Sequence, residues 1–321
     1  MKIRKSQITA SEEQAQQLQH SNKGWYSIQV RPPRETPPAR LDSVIRGATE
    51  ASTKWFGLRN ASPVIAYEIR RHRPGQLQFQ FSTPSVRLDR KLRNHLTDAA
   101  STTEIQESST NGLPVFEDET IGVGQAELLR RDWNPLETDF DSPPVNKLVG
   151  SLHQNAMQDT KFVVQLLFQP VAGHPVRRRW SRREAFNRGR KLRNKKQLLV
   201  GERTATPLEK KRAKLLEEKA AGPLYNVRLR VVAIGAGEYT GSRIRELAGC
   251  FNQYNHSESR QKLGVKRFKS VRSVSIFRLL KAVRDRQLSD LDAGFRASVE
   301  EVGALASLPD RSQSNIVEAR P

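Results

Sequence analysis

The order of apolar patterns along the first half of the chain constrains the fold most. Several segments alternate apolar and polar residues or form short apolar runs, as expected of strands in a half-buried sheet. Two others repeat apolar residues at intervals of three and four, which predicts helices with one buried face. The strands are predicted at 26–30, 64–69, 77–81 and 103–106, and the helices at about 41–56 and 86–96.

This order is strand, helix, strand, strand, helix, strand, and the second half of the chain repeats it. It predicts a ferredoxin-like unit, in which two helices cover one face of an antiparallel sheet. We therefore expect an α+β protein with two βαββαβ units, at 25–123 and 124–297. Residues 1–24 are predicted to form a flexible polar arm, and 298–321 a short helix and C-terminal linker. The elements of the second unit are predicted at 126–129, 145–157, 162–168, 227–234 and 242–254.

The second unit carries a long insertion, 171–223, where the first has only a turn signal at 73–75. The insertion is predicted to be a helical hairpin whose first arm runs over about 180–199. Its second arm begins with Thr206 at the N-cap, proline at the first helical position and Glu209 three residues after the cap, which is a capping box. We expect the hairpin to project from the sheet, so that its removal leaves the fold largely intact.

The insertion also holds most of the net charge. Residues 177–219 contain 17 Lys or Arg against 5 Asp or Glu, which is more than half of the formal charge of +21. A cationic segment of this density predicts a polyanionic partner, either nucleic acid or an anionic membrane surface. The residues predicted to contact nucleic acid are Arg177, Arg178, Arg179, Trp180, Arg182, Arg183, Arg190, Lys191, Arg193, Lys195 and Lys196.

Several interpretations of this basic run remain open. The hairpin can be a solvated surface element without a partner, or it can bind DNA, anionic lipid or an acidic protein. Trp180 can stack on a base or pack the hairpin onto the sheet. If DNA is the partner, we expect contacts mainly to phosphates, so that binding is non-specific and weakens steeply with salt.

The sequence does not predict an enzyme. The glycine-containing segment 235–242 follows a strand and precedes a helix, but it lacks the lysine of a phosphate loop, so a plain strand-to-helix turn is expected. The six histidines are scattered and contain no His-x-His pair. Acidic pairs at 117–119 and 139–141 are interpreted as solvated loops rather than a metal centre. We therefore predict no catalytic, cofactor or metal site.

The bulk composition bounds the cellular setting. A single cysteine, Cys250, rules out an intramolecular disulfide framework and fits a reducing, intracellular compartment. This thiol lies near the apolar face of a predicted helix, so we expect it to be buried and structural. No apolar run approaches the roughly 18 residues of a membrane helix. We expect a cytoplasmic protein whose membrane contact, if any, is peripheral.

Five segments in the second half resemble one family in order and spacing. They are FVVQLLFQP at 162–170, EKA leading into YNVRLRV at 218–231, AGCFNQYN at 248–255, LGVKRFK at 263–269 and SVEEVGALASLP at 298–309. Together they are similar to the N-terminal, pre-motor region of conjugative type IV secretion ATPases of the HerA/FtsK-like superfamily. Ser307 and Leu308 stand where that family usually has a histidine before the proline.

The resemblance implies a part in DNA transfer. In that family the last segment leads into a motor domain with a phosphate loop, whereas this sequence stops at Pro321. The resemblance therefore implies a non-catalytic scaffold or adaptor that docks a separately encoded motor ATPase or the secretion channel, at the inner face of the membrane. Motor-associated modules often form rings, so a homo-oligomer is a further expectation. The alternatives are an autonomous, non-specific nucleic-acid-binding protein and, from a different class, a metal-dependent nuclease.

Overall fold

The computed structural model describes residues 4–21, 23–32, 37–72, 77–153, 160–173, 175–194, 196–197 and 202–310, without the side chains of 153, 175–181, 196–197 and 202. The strands are β1 (Gln7–Thr9), β2 (Tyr26–Arg31), β3 (Thr53–Lys54), β4 (Arg59–Asn60), β5 (Ile65–Arg71), β6 (Gln78–Thr83), β7 (Glu104–Glu107), β8 (Thr120–Leu128), β9 (Lys161–Pro170), β10 (Lys196–Gln197), β11 (Glu202–Arg203), β12 (Leu224–Ile234), β13 (Leu263–Arg267) and β14 (Phe295–Ser298). The helices are α1 (Glu12–Gln19), α2 (Asp42–Ala48), α3 (Val86–Ala99), α4 (Val145–His153), α5 (Pro175–Arg193), α6 (Pro207–Ala221), α7 (Thr240–Cys250), α8 (Ser273–Arg284) and α9 (Val299–Leu305).

Ten of the described strands form one antiparallel sheet. Its order is β1-β8-β12-β9-β5-β6-β2-β7, with β13 also paired to β8 and β14 to β12. The chain is therefore an α+β protein, as predicted. The first half contributes the neighbouring strands β7-β2-β6-β5, and the second contributes β13-β8-β12-β9. In each set the strands lie in the order fourth, first, third, second along the chain.

The two sets join through β5 and β9. These strands pair antiparallel over seven residues, from Ile65 opposite Phe168 to Arg71 opposite Phe162. All seven residues of β5 are buried, and so are most of those of β9. A strand covered on both faces needs apolar residues at successive positions, which explains why FVVQLLF in β9 is apolar at every position except Gln165. The sheet is consequently continuous across the two halves.

Apolar cores lie on both faces of the sheet. The larger core packs residues of α2, α3, α4, α7 and α9 against one face. A smaller core on β8, β9 and β12 is covered by α1 and α8. Ala15 and Leu18 of α1 are buried in this smaller core. The flexible arm predicted for 1–24 is therefore wrong over its described part, because these apolar side chains pack under α8.

Several element boundaries differ from those predicted. The helix predicted at 41–56 ends at Ala48, because the backbone then extends and Ser52 exchanges hydrogen bonds with residues of the following loop: Ala61 N donates to Ser52 O, and Ser52 N to Ser62 Oγ. The segment beyond it forms the small hairpin of β3 and β4 instead. The strand predicted to begin at 126 begins at Thr120, so the boundary predicted between 123 and 124 falls inside β8.

Other local predictions agree with the structure. Thr206 and Glu209 form the predicted capping box at the start of α6, and Ser298 and Glu301 form one at the start of α9. The segment after β12 is a strand-to-helix turn, with Gly235 at a positive φ of 83°. The turn signal at 73–75 and the end of the helix predicted at 145–157 lie outside the described residues.

Candidate nucleic-acid interface

The basic insertion folds as an antiparallel pair of helices, α5 and α6. Ala185 and Gly189 of α5 are buried against α6, and a Cβ on Gly189 would lie 2.6 Å from Oε1 of Glu217. The lack of a side chain at Gly189 thus allows the two helices to approach closely. Arg193 of α5 forms an ion pair with the same Glu217. The first arm spans Pro175–Arg193, so it starts and ends about five residues before the predicted arm at 180–199.

Helix α6 is docked on the body of the protein. The ammonium of Lys219 lies 2.7 Å from the carboxylate of Glu301 in α9, and both side chains are buried. Lys211 forms an ion pair with Glu258, and Arg212 Nη2 donates to Asn134 Oδ1 at 2.8 Å. The insertion is therefore held along one side, whereas the sequence predicted an arm that projects from the sheet.

A cleft of about 680 Å³ lies between this docked hairpin and the loop that follows β8. One wall comes from α5 and α6, and the other from the loop at 128–134. Five of the side chains that line the cleft are cationic, and one, that of Glu184, is a carboxylate. The lining residues are Leu128, Leu129, Arg130, Arg131, Trp133, Asn134, Glu184, Asn187, Arg188, Lys191 and Arg212.

The loop wall of the cleft is held in place by one buried amide. Gln261 Nε2 donates to the carbonyl oxygens of Arg130, Arg131 and Asn134, at 3.3, 3.2 and 3.0 Å. In the reverse direction Arg130 N donates to Gln261 Oε1 at 2.9 Å. Arg130 Nε also donates to the backbone carbonyl of Arg260, a residue whose charge acts on Arg212. The hydrogen bonds of Gln261 therefore fix the backbone positions of Arg130 and Arg131, the two cations of this loop.

None of the five cations that line the cleft forms an ion pair with another residue that the structure describes, and the lining holds a single carboxylate, that of Glu184. Burial lowers the pKa of the Arg212 guanidinium, and the nearby charges of Arg130, Arg260 and Arg188 lower it further. The Nε of Arg212 is buried and has no hydrogen-bond acceptor among the described residues. Repulsion among clustered cations is relieved when an anion binds between them, and guanidinium groups match phosphate oxygens in geometry. The cleft can thus bind phosphate groups.

An aromatic ring lies within the same cleft. Trp133 is partly exposed, and the guanidinium carbon of Arg131 lies 6.0 Å from the centre of its ring. Cationic grooves that contain an aromatic side chain suit single-stranded nucleic acid, because the backbone contacts the cations while a base stacks on the ring. Trp133 is therefore available for stacking, a role that the sequence assigned as one alternative to Trp180.

The structure divides the predicted contact residues. Lys191 lines the cleft. Arg183 and Arg190 are exposed on the same helix. Arg182 instead donates to the carbonyls of Ala220 and Ala221 at the end of α6, at 2.7 and 2.5 Å, and Arg193 pairs with Glu217 as described. The last two side chains hold the hairpin together.

The remaining predicted contacts are not described as side chains. Arg177, Arg178, Arg179 and Trp180 belong to the first turns of α5, and Lys196 to β10, where the structure gives the backbone alone. Lys195 lies outside the described residues.

The contact residues predicted from the sequence do not include five cations of the site, although two of these, Arg188 and Arg212, lie within the basic run. Arg130, Arg131, Arg188, Arg212 and Arg260 come from the loop after β8, from α5, from α6 and from the turn before β13. The pair Arg130 and Arg131 close to Trp133 was the available signal, since it repeats in short form the arrangement of arginines around Trp180. The contributions of Arg212 and Arg260 depend on tertiary packing.

Outside the cleft, the other residues considered for chemistry have structural surroundings. Cys250 is buried at the end of α7, and burial raises the pKa of its thiol. Within the described part of the chain, no three His, Cys, Asp or Glu side chains are grouped to hold a metal ion. None of the described helices is both long and apolar enough to cross a membrane.

Comparison with protein families gives a match that extends over nearly the whole chain. No curated protein matches the sequence. The family described as Domain of unknown function (DUF8128) matches residues 2–321, and the chain belongs to this family.

Proposed function

We propose that the protein is a non-catalytic scaffold or adaptor of a DNA-transfer machine and that it binds nucleic acid in the cleft beside α5 and α6. The observation that carries this proposal is the cluster of Arg130, Arg188, Arg212 and Arg260 with a buried, unpartnered Nε on Arg212. Phosphodiesters supply closely spaced negative charges along a narrow chain, which is the ligand that such a cluster requires.

The shape of the site favours nucleic acid over a membrane surface. Arg212 is partly buried at the junction of α6 and the loop at 128–134, so a flat bilayer would reach the rim before it reached this side chain. A single strand can enter the cleft and place a base on Trp133. The five cations of the lining outnumber its two amide side chains, Asn134 and Asn187, so we expect contacts mainly to the backbone and little sequence preference.

The arrangement of strands supports the DNA-transfer setting. We interpret each half of the sheet as a ferredoxin-like unit, because the order fourth, first, third, second is the order of that fold. The basic hairpin leaves β9 and returns in β12, which lie side by side in the second unit. The conjugative ATPases that the sequence resembles carry charged helical insertions at this point. By this analogy the partners are DNA and a separately encoded motor ATPase, in a cytoplasmic ring at the membrane.

Binding of labelled single- and double-stranded oligonucleotides, measured by fluorescence anisotropy over a salt series, tests the nucleic-acid part. We expect the affinity of the full chain to fall linearly with salt on a logarithmic scale. The variant Arg188→Gln/Lys191→Gln removes two cleft cations, so it should weaken binding and reduce the slope by roughly 1.5 if each contacts one phosphate.

The matched control is Arg90→Gln/Arg278→Gln, which removes two exposed cations from α3 and α8. Equal loss of affinity in the two double variants would show that net charge alone drives binding and would overturn the cleft assignment. Trp133→Ala should weaken binding to single strands more than to duplex. The adaptor part further requires that a phosphate-loop ATPase co-purify with the full chain, and absence of such a partner would count against it.

A further inference from the structure

The hairpin of β3 and β4 exposes three large apolar side chains at its end. We call residues 54–59 the aromatic tip. Trp55 is 72% exposed, Phe56 107% and Leu58 54%, and Phe56 is the most exposed large apolar side chain of the described residues. The helix predicted at 41–56 contains Trp55 and Phe56. The structure instead places both side chains in solvent.

The backbone of the aromatic tip has an unfavourable conformation at both aromatic residues. Trp55, Phe56 and Gly57 have positive φ values of 58°, 54° and 82°, and the turn closes with Leu58 N donating to Trp55 O at 3.0 Å. Glycine accepts this region freely, but a bulky aromatic residue rarely occupies it, and such strain concentrates at functional segments. Asn or Gly would suit the turn better if it served only to reverse the chain.

The base of the hairpin is fixed to the sheet. Asn60 Nδ2 donates to Pro170 O at 2.8 Å and to Gln169 Oε1 at 3.3 Å, both at the end of β9. Gly173, with a φ of 74°, packs so closely that a Cβ on it would lie 2.9 Å from Asn60 N. The base of the hairpin is therefore held beside the end of β9, close along the chain to the start of α5 at Pro175.

The surroundings of the aromatic tip are cationic. Lys54 and Arg59 flank the apolar residues and are exposed, and residues 51–67 contain no Asp or Glu. Glu50, just before this segment, forms ion pairs with Arg87 and Lys91. The basic run of α5 begins near the base of the hairpin, at Arg177. Apolar side chains with cations on either side complement a surface in which an apolar layer lies beneath negatively charged groups.

We infer that the aromatic tip inserts into the interface of an anionic phospholipid bilayer. Indole and phenyl rings partition to the depth of the headgroups and upper acyl chains, while Lys54 and Arg59 contact the phosphates. The tip is convex and small, so it anchors the protein reversibly and relies on the neighbouring basic residues for a second contribution. This site is separate from the cleft, and it goes beyond the proposed binding of nucleic acid.

Co-sedimentation of the full chain with phosphatidylcholine vesicles, with and without phosphatidylglycerol, tests the inference. We expect binding to the mixed vesicles, with tryptophan fluorescence quenched by brominated acyl chains. The variant Trp55→Ala/Phe56→Ala should lose partitioning by on the order of tenfold or more, because the apolar side chains no longer leave water. Lys54→Gln/Arg59→Gln should reduce the preference for phosphatidylglycerol.

Two controls separate this surface from the others. Tyr239 is an exposed aromatic residue that follows the end of β12, at the end of the sheet away from the aromatic tip. Tyr239→Ala should leave partitioning unchanged. Arg188→Gln/Lys191→Gln should likewise keep the quenching, so failure of the cleft proposal leaves this one testable. Wild-type protein that stays in the supernatant, or partitions equally with Trp55→Ala/Phe56→Ala, would overturn the inference and point to a protein partner for the tip.

Discussion

Glu68 is the residue whose surroundings depend most on charge. Its carboxylate lies at the centre of the sheet and is fully buried, where it accepts from Arg70 Nη1 and Arg286 Nη2, both at 2.9 Å, and from Gln165 Nε2 at 2.7 Å. Burial acts to raise the pKa of Glu68, but the charges of Arg286 and Arg70 and the hydrogen bond from Gln165 outweigh it. The pKa is lowered from 4.5 to about 2.

This shift predicts a loss of stability in acid. Because the pKa of Glu68 is lower in the folded state, its ionised form stabilises the fold above about pH 4.5, and the contribution disappears as the pH falls towards 2. The contribution is on the order of 3 kcal/mol. Urea unfolding of the wild type and Glu68→Gln should therefore give free energies that differ most near neutral pH and converge as the pH falls from about 4.5 towards 2.

The exposed carboxylate of Glu238 supplies the control for this measurement. Glu238→Gln should have nearly the same unfolding free energy as the wild type throughout the series. A difference between the wild type and Glu68→Gln that stays constant from neutral pH to about pH 2 would show that Glu68 is not ionised in the folded protein.

At the scale of elements, the attachment of α6 decides how independent the insertion is. Lys219 and Glu301 are both buried, and Glu301 also accepts from Leu136 N and from Ser298 N, each at 2.6 Å. Loss of one partner from such a pair leaves a buried charge without compensation. Removal of the insertion would take Lys219 with it, so the expected survival of the fold requires a change at Glu301 as well.

Substitution of Lys219 tests this attachment. Lys219→Met should lower the free energy of unfolding by about 3–5 kcal/mol, because Glu301 stays buried and unpaired. The control Lys214→Met lies on the same helix and removes an exposed cation that pairs with the exposed Glu218, so its effect should be within about 0.5 kcal/mol. Glu301→Gln added to Lys219→Met should recover part of the loss. Equal stability of the two single variants would contradict the proposed docking.

Most of the described helices and half of the fourteen described strands were predicted from the sequence near their observed positions. The helix at 41–56 was predicted too long because its apolar spacing continues beyond Ala48, whereas the hydrogen bonds that redirect the chain join Ser52 to Ser62. Local periodicity contains no information on such contacts. The buried α1 was missed because its apolar residues, Ala15 and Leu18, are few among glutamines and acids.

The cleft was predicted only in part for a related reason. The basic run located one wall, which holds Lys191 and Arg188. The other wall depends on Gln261, a neutral residue whose buried amide holds the loop at 130–134. Nothing in the sequence around Gln261 distinguishes it from an exposed glutamine. The aromatic tip was likewise hidden, because Trp55 and Phe56 suit a buried helix face as well as an exposed turn.

At the scale of the whole molecule, a row of polar residues crosses the sheet at one register. Directly paired positions run across both units and through the joint between β5 and β9, on the face opposite the larger apolar core. The row consists of Gln29, Gln80, Glu68, Gln165, Arg230 and Gln125. A shift of any strand by one residue would turn its polar member into the apolar core, so the row specifies the register of all six strands.

The polar row and the pairing of β5 with β9 predict that both units unfold together. In native-state hydrogen exchange with added urea, the most protected amides of β6 and β12 should report the same opening free energy within about 1 kcal/mol. Glu68→Gln lies in the first unit but should lower protection in β12 as much as in β6, whereas Arg90→Gln should change neither. If β6 exchanged through an opening that left β12 protected, the units would be separately stable, and the joint would be a contact between domains rather than part of one core.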